Sequence, residues 1–310
     1  MIRNIKKTGC ILLLCSLFSI QSSISQQNPE YTQYMYNTMM VNPGYTGSVG
    51  TLEANLLLRK QWMSMEGAPQ TGTLGLHSPL GNKNIGLGMN FISDDLGPSS
   101  EQTLAGNVSY SINLGEATKL AFGMKVGVRI LSIDWSKGSF YDNDDVLLNN
   151  NVKNKAMGLL GSGAYLYSDK WYAGVSVPNF FRYDYYEDIQ ESVISDKLHY
   201  YFIGGYVFGL SDSVKFKPSV LVKAVAGSPL STDFSANFLL KEKLTLGASY
   251  RWDDSVSALV GIQFLQNFFV GYSYDYTVTR LNKYNDGSHE IILRYQLPQR
   301  SQTIKSPRFF

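Results

Sequence analysis

Leu120, Phe122, Met124, Val126, Val128 and Ile130 fall on one phase of a two-residue alternation, and Ala121, Gly123, Lys125, Gly127 and Arg129 on the other. Successive side chains of a strand point to opposite faces. The stretch therefore predicts a strand with one large apolar face and one small or cationic face. The same split recurs along most of the chain, with turn residues between the copies. It predicts strands near residues 52–60, 70–77, 84–93, 101–114, 119–134, 155–168, 171–177, 198–209, 214–224, 231–240, 244–252, 256–264, 268–278 and 289–297. That is about fourteen, an even number as in single-chain bacterial membrane barrels, and most approach the roughly 9–11 residues that cross a bilayer. The expected fold class is all-β: a transmembrane antiparallel β-barrel with large residues toward lipid and small or charged ones toward the lumen.

Charge placement strengthens this reading. Glu53, Arg59, Lys125, Arg129, Lys215, Lys217, Lys223, Asp233, Arg251, Asp275, Glu290 and Arg294 all occupy the inward phase. Outside the less regular stretch 70–77, the outward phase is expected to carry no charge. A Lys or Arg facing lipid at mid-membrane costs about 2–4 kcal/mol, whereas a soluble sheet has no reason to clear one face of every strand. The connections also alternate in length. Residues 115–118, 169–170, 211–213, 241–243 and 265–267 are short links, and 61–69, 135–154, 178–197 and 279–288 are long ones, as inner turns and outer loops of such barrels are. Two features depart from the pattern: the short link Asp253-Asp254 on the long-loop side, and Pro218 inside a strand. Trp171, Tyr200, Tyr250, Trp252, Tyr272, Tyr274 and Tyr276 point outward and suit interfacial girdles. Gly205, Gly247 and Gly271 point inward, where a missing side chain relieves crowding.

The ends of the chain change the picture in one respect. Arg3, Lys6 and Lys7, an apolar run from Ile11 to Ile20, and Ser23-Ile24-Ser25 read as a secretory signal peptide over residues 1–25. Its removal leaves 24 basic and 25 acidic residues and takes away both cysteines, Cys10 and Cys15. The mature chain then has no disulfide or thiol chemistry, and a near-neutral balance is not that of a nucleic-acid binder. No later apolar run is long enough for a helical span. Residues 26–50 are aromatic-rich, lack a clean period and contain Pro29 and Pro43. They are expected as an ordered segment before the barrel of residues 51–298, folded against its periplasmic mouth, with residues 299–310 as a periplasmic tail.

Candidate chemistry is thin. Of three histidines, His77, His199 and His289, the last lies in Ser288-His289-Glu290, which has the residue types of a hydrolase constellation. Adjacent strand residues face opposite ways, so hydroxyl and imidazole are not expected within the hydrogen-bond reach that catalysis needs. No catalytic, cofactor or metal site is expected. Asp142-Asn143-Asp144-Asp145 offers oxygen ligands for a hard cation but lacks the spacing of a helix-loop-helix calcium site. Lys125, Arg129, Lys215, Lys217, Lys223, Arg251, Asp275 and Arg294 are the candidate lumen-lining charges. They suit internal salt-bridge networks better than an anion path.

A set of short motifs, in order along the chain, resembles one family. These are Tyr31-Thr32-Gln33-Tyr34, Asn42-Pro43-Gly44-Tyr45-Thr46-Gly47-Ser48, Arg59-Lys60-Gln61-Trp62, Glu66-Gly67-Ala68-Pro69 and His77-Ser78-Pro79. They continue with Asn84-Ile85-Gly86-Leu87-Gly88, Asp94-Asp95-Leu96-Gly97-Pro98, Gly174-Val175-Ser176-Val177-Pro178-Asn179, Lys217-Pro218-Ser219, Gly271-Tyr272-Ser273-Tyr274-Asp275-Tyr276-Thr277 and Gly287-Ser288-His289-Glu290. Together they are similar to the PorP/SprF family of type IX secretion outer-membrane proteins, departing at Gly44 and Thr46, where the family often has Ala. The resemblance implies a bacterial outer-membrane location and a non-enzymatic role in exporting or surface-attaching large proteins with a C-terminal sorting domain, gliding adhesins among them. It implies as partners that cargo, other type IX secretion components and outer-membrane lipid. The alternative reading is a passive channel or a transporter of hydrophobic substrates.

Overall fold

The computed structural model describes residues 29–81, 84–138, 151–183, 197–265 and 267–298. The alternation becomes β1 (Glu53–Lys60), β2 (Gln70–Pro79), β3 (Ile85–Leu96), β4 (Ser99–Asn113) and β5 (Lys119–Ile133). There follow β6 (Val152–Tyr167), β7 (Trp171–Val177), β8 (His199–Tyr206), β9 (Phe208–Ser211) and β10 (Val214–Val225). The chain closes with β11 (Ser231–Leu240), β12 (Leu244–Arg251), β13 (Ser255–Phe264), β14 (Phe268–Thr277) and β15 (Ser288–Gln296). All lie in one sheet in which successive strands pair antiparallel, β15 returns to β1, and β10 joins β11 to close the ring. β8 and β9 both pair with β10, so they are two parts of one stave and the barrel has fourteen staves. No helix among the described residues is long and apolar enough to cross a membrane.

The break between β8 and β9 accounts for Pro218. Ser219 pairs with Gly205 and Phe216 with Phe208, so Lys217 stands opposite Val207 and Pro218 opposite Tyr206, within the interruption of the ladder. The Val207 N–H turns away to the Lys170 carbonyl. A residue without an N–H is tolerated where the neighbouring ladder is already broken.

The two faces differ as the alternation requires. Leu58, Leu74, Phe122, Met124, Val126, Phe202, Phe234 and Ile262 are among many large apolar side chains exposed on the outer face. A contiguous apolar surface of this extent belongs against hydrocarbon rather than water. At the short-turn rim Phe208, Phe216 and Phe238 stack on one another, with ring centroids 6.2 Å and 4.7 Å apart, forming part of an aromatic band.

Three expectations need correction. The outward phase is not wholly free of charge: Lys60 and Asp95 lie on it, in one cross-strand row with Gln70, and both are exposed. They sit at the long-loop rim, where a charged tip reaches water. The strands β3 and β4 run closer together than expected, leaving only Gly97-Pro98 as their link on the long-loop side, a second short connection there. Gly97 takes a positive φ of 54°, which a tight two-residue turn requires. Finally, residues 29–50 do not rest at a mouth of the barrel; they run inside it.

Candidate functional site

The interior of the barrel is the site. Its occupant is the segment that precedes β1. Short 3-10 turns at Tyr34–Tyr36 and Pro43–Tyr45 flank one helical turn at Thr38–Val41. Pro43 pre-sets the turn that follows Asn42, and the Asn42 carboxamide oxygen accepts from the Gly44 N–H at 2.8 Å. The segment is almost completely buried: Gln33, Met39 and Asn42 have no exposed surface, and Tyr34, Tyr36 and Asn37 have 1%. Their aromatic and thioether bodies form one core cluster with Leu57, Tyr165, Ile203, Leu259, Phe269 and Ile292 from the barrel's inner wall.

Its first residues are held by charge. Arg59 bonds Asp275 at 2.7 Å and Glu290 at 3.1 Å, with all three side chains buried. The backbone N–H groups of Thr32 and Gln33 donate to the two Glu290 oxygens at 3.0 and 2.8 Å. The Thr32 hydroxyl donates to Asp275 at 2.7 Å. Beside this group, Glu30 pairs with Lys223 and with Arg251, the latter at 3.3 Å, and Arg251 also takes Asp233 at 2.8 Å. Burial raises the Glu30 carboxyl's affinity for a proton, but the Arg251 and Lys223 charges outweigh it and bring its pKa down to about 2. Burial pushes the Tyr36 phenol up to about 12, so it is a neutral packing group.

The rest of the segment is held by shape. A Cβ at inward-facing Gly75 would crowd the Met39 and Met40 methyls, at Gly88 the Met39 sulfur, at Gly123 the Pro43–Gly44 backbone, at Gly163 and Gly174 the Asn42 carboxamide, and at Gly86 the Thr46 carbonyl. The bare wall lets the segment's backbone reach wall side chains. The Ser176 hydroxyl donates to the Val41 carbonyl at 2.7 Å, the Ser109 hydroxyl to Thr46 at 2.6 Å and the Lys125 ammonium to Met40 at 2.7 Å. Asn42 donates to the Ala164 carbonyl at 3.0 Å. The Gly47 N–H donates to His77, whose other ring nitrogen lies 3.2 Å from Glu53.

The structure places the candidate lumen charges as follows. Lys125, Lys217, Lys223, Arg251, Asp275, Arg129 and Arg294 are buried on the inner wall. Asp275, Arg251 and Lys223 belong to the charge clusters already described. Lys217 and Arg294 lie over the Tyr36 ring, at 5.4 and 5.1 Å from its centroid, close enough for cation–π attraction. Arg129 stands 3.7 Å from Glu101 and 3.8 Å from the Met157 sulfur. Lys215 sits apart, at the short-turn rim, in a 2.6 Å pair with the exposed Glu242. The wall is lined with cations, yet its space is taken by residues 29–50. Residue-by-residue reading missed this occupant. The available signal was the number of inward-phase glycines, which mark where a backbone comes close.

Ser288 and His289 are separated as strand geometry demands. Ser288 is buried inside and accepts from the Trp62 N–H at 3.1 Å. His289 bonds the Tyr272 hydroxyl at 2.7 Å on the outer face. Asp142 to Asp145, most of the two longest loops, residues 1–25 and the tail 299–310 lie outside the described residues.

Among solved structures, the barrel is similar to a deletion mutant of the monoaromatic hydrocarbon channel TodX, at 10% identity and TM-score 0.50, over 89% of this chain and 96% of that one. It is also similar to Omp33 of Acinetobacter baumannii, at 7% identity and TM-score 0.48, over 80% and 98%. A Pseudomonas aeruginosa FadL homologue aligns at 11% identity and TM-score 0.44, over 87% and 94%. At these identities only the barrel fold is shared. No curated protein matches the chain. The profile of the type IX secretion system membrane protein PorP/SprF family matches residues 23–295, nearly the whole chain. The protein is an outer-membrane β-barrel, and the chain belongs to the PorP/SprF family of type IX secretion system membrane proteins.

Proposed function

We propose that the barrel is a non-enzymatic anchor for exporting or surface-attaching large cargo proteins, adhesins among them, that carry a C-terminal sorting domain. One observation carries this reading beyond family membership: the lumen is filled by the chain's own residues 29–50. A filled lumen does not suit a passive channel or a transporter that passes hydrophobic substrates along its axis. It suits a rigid platform that works through its two rims. The long connections, chiefly those between β5 and β6 and between β7 and β8, are the surface offered to cargo. The short turns face the periplasm and the rest of the secretion machinery. With residues 29–50 inside the barrel, periplasmic docking falls to those turns and to the residues after 298.

The test is deletion of the gene followed by comparison of secreted and cell-surface proteomes. Loss of one or a few large proteins with C-terminal sorting domains is expected. An unchanged surface proteome overturns the reading. Single-channel recording separates the rival class: the intact protein is expected to be silent and a chain lacking residues 29–50 to conduct.

A further inference from the structure

The lumen segment surfaces at both ends, and at opposite mouths of the barrel. Residues 31–46 are all buried, Pro29 and Glu30 are half-buried, and exposure returns over residues 47–50. The later end is fixed at the short-turn rim. There the Leu297 N–H donates to the Leu52 carbonyl at 2.8 Å and the Thr51 hydroxyl to the Leu297 carbonyl at 2.7 Å. The earlier end lies at the long-loop mouth. Glu30 pairs with Lys223, two residues before the end of β10, and with Arg251, the last residue of β12. Arg59, one residue from the end of β1, donates to the Thr32 hydroxyl at 2.9 Å. Glu53 to Arg59 is about 20 Å along β1, so the segment is a strap that runs most of the height of the lumen.

We infer that the chain before Pro29 leaves through the long-loop mouth, which puts the N-terminal end of the strap on the cell exterior and not in the periplasm. Two observations select that direction. The Glu30 side chain is 19% exposed, and its partner Arg251 also holds Asp254, whose side chain is 40% exposed at the same mouth. The end of the strap therefore already reaches water there. The way back is closed. The Thr32 and Gln33 N–H groups bond Glu290, and the aromatic and thioether side chains behind them pack against the inner wall. A returning chain would break those bonds and bury its own polar backbone beside them. The buried charges around Glu30 are then the outer fastening of the strap. This inference stands apart from the cargo reading.

Cysteine labelling of cells expressing the full chain tests it. The wild type, whose cysteines Cys10 and Cys15 both precede residue 26, is the blank. Asn28→Cys, directly before the strap, is expected to take up a membrane-impermeant maleimide on intact cells. Tyr284→Cys, at a position 70% exposed in the connection between β14 and β15, marks the outer side. Glu242→Cys, at a side chain 70% exposed in the turn between β11 and β12, marks the periplasmic side and is expected to react only after the outer membrane is permeabilised. The heat-dependent gel shift of a folded barrel establishes that each variant has folded, and Gln27→Cys serves in place of an Asn28→Cys that does not fold. An N-terminal cysteine that reacts only under the conditions that expose Glu242→Cys overturns the proposal, as does one that stays silent until the barrel is unfolded. Controls that exchange sides overturn it as well, because the long-loop mouth is then not the outer one.

Discussion

Two stretches of the lumen segment are held in opposite ways. Residues 30–33 are gripped by buried charges from β1, β10, β12, β14 and β15. Residues 39–47 lie on a wall that glycine has cleared on β2, β3, β5, β6 and β7. The first grip is strong only while every charge keeps its partner, because an isolated charge in a low-dielectric interior is expensive. The second has fewer charges, the Lys125 ammonium on the Met40 carbonyl and the His77–Glu53 pair beside Gly47, and depends largely on the absence of single methyl groups. One end of the segment should therefore answer to charge and pH, and the other to volume.

The largest effect is expected at the charged end. Arg59→Met leaves Asp275 and Glu290 facing each other without their shared cation. Breaking a buried pair in this way costs about 3–5 kcal/mol, read as a lower denaturant midpoint for barrel unfolding in micelles. A variant within about 1 kcal/mol of wild type would show that these carboxylates are already neutral or solvated. Next comes the shaped end. Gly123→Ala places a methyl into the Pro43–Gly44 backbone and is expected to cost about 1–3 kcal/mol and to expose the segment to protease. Gly209→Ala, which meets nothing within 4 Å, is the matched control, and equal losses in the two would dissolve the contrast.

Glu30 sharpens the electrostatic half. Its carboxyl is depressed when folded, so the stability it contributes is complete above the ordinary carboxylate range and is lost as pH falls from about 4.5 through about 2. The stability difference between wild type and Glu30→Gln should be of the order of 1.5–3 kcal/mol near neutral pH, as for hydrogen bonds to charged groups, and should shrink across that acid window. A difference that is flat with pH would remove Glu30 from the clasp. The smallest effect is expected at Lys215→Ala. Its pair with Glu242 is exposed at the rim, so a change under about 1 kcal/mol is expected. A larger loss would place that rim under the same control as the interior.

The barrel was readable from one dimension because a membrane wall writes itself locally. Each strand's lipid face must be apolar and its lumen face need not be, so period two, turn residues and charge phase recover most strand ends to within about three residues. Residues 231–240 were expected as a strand and form one with the same bounds. The departures fall at rims, where water relaxes the rule, as for Lys60 and Asp95.

The sequence by itself thus determined the architecture, the inward placement of the buried cations and, through its ordered motifs, the family. Only the tertiary structure decided what those cations do. Thr32 meets Glu290 across 258 residues of chain, and Glu30 meets Lys223 across 193. No local period encodes such partners. The inward glycines carry the information that something lies against them, but that something is named only once the sheet has closed and the segment is inside. The reason is physical: alternation reports what each residue faces, lipid or lumen, whereas the content of the lumen depends on which distant segment closes with which wall.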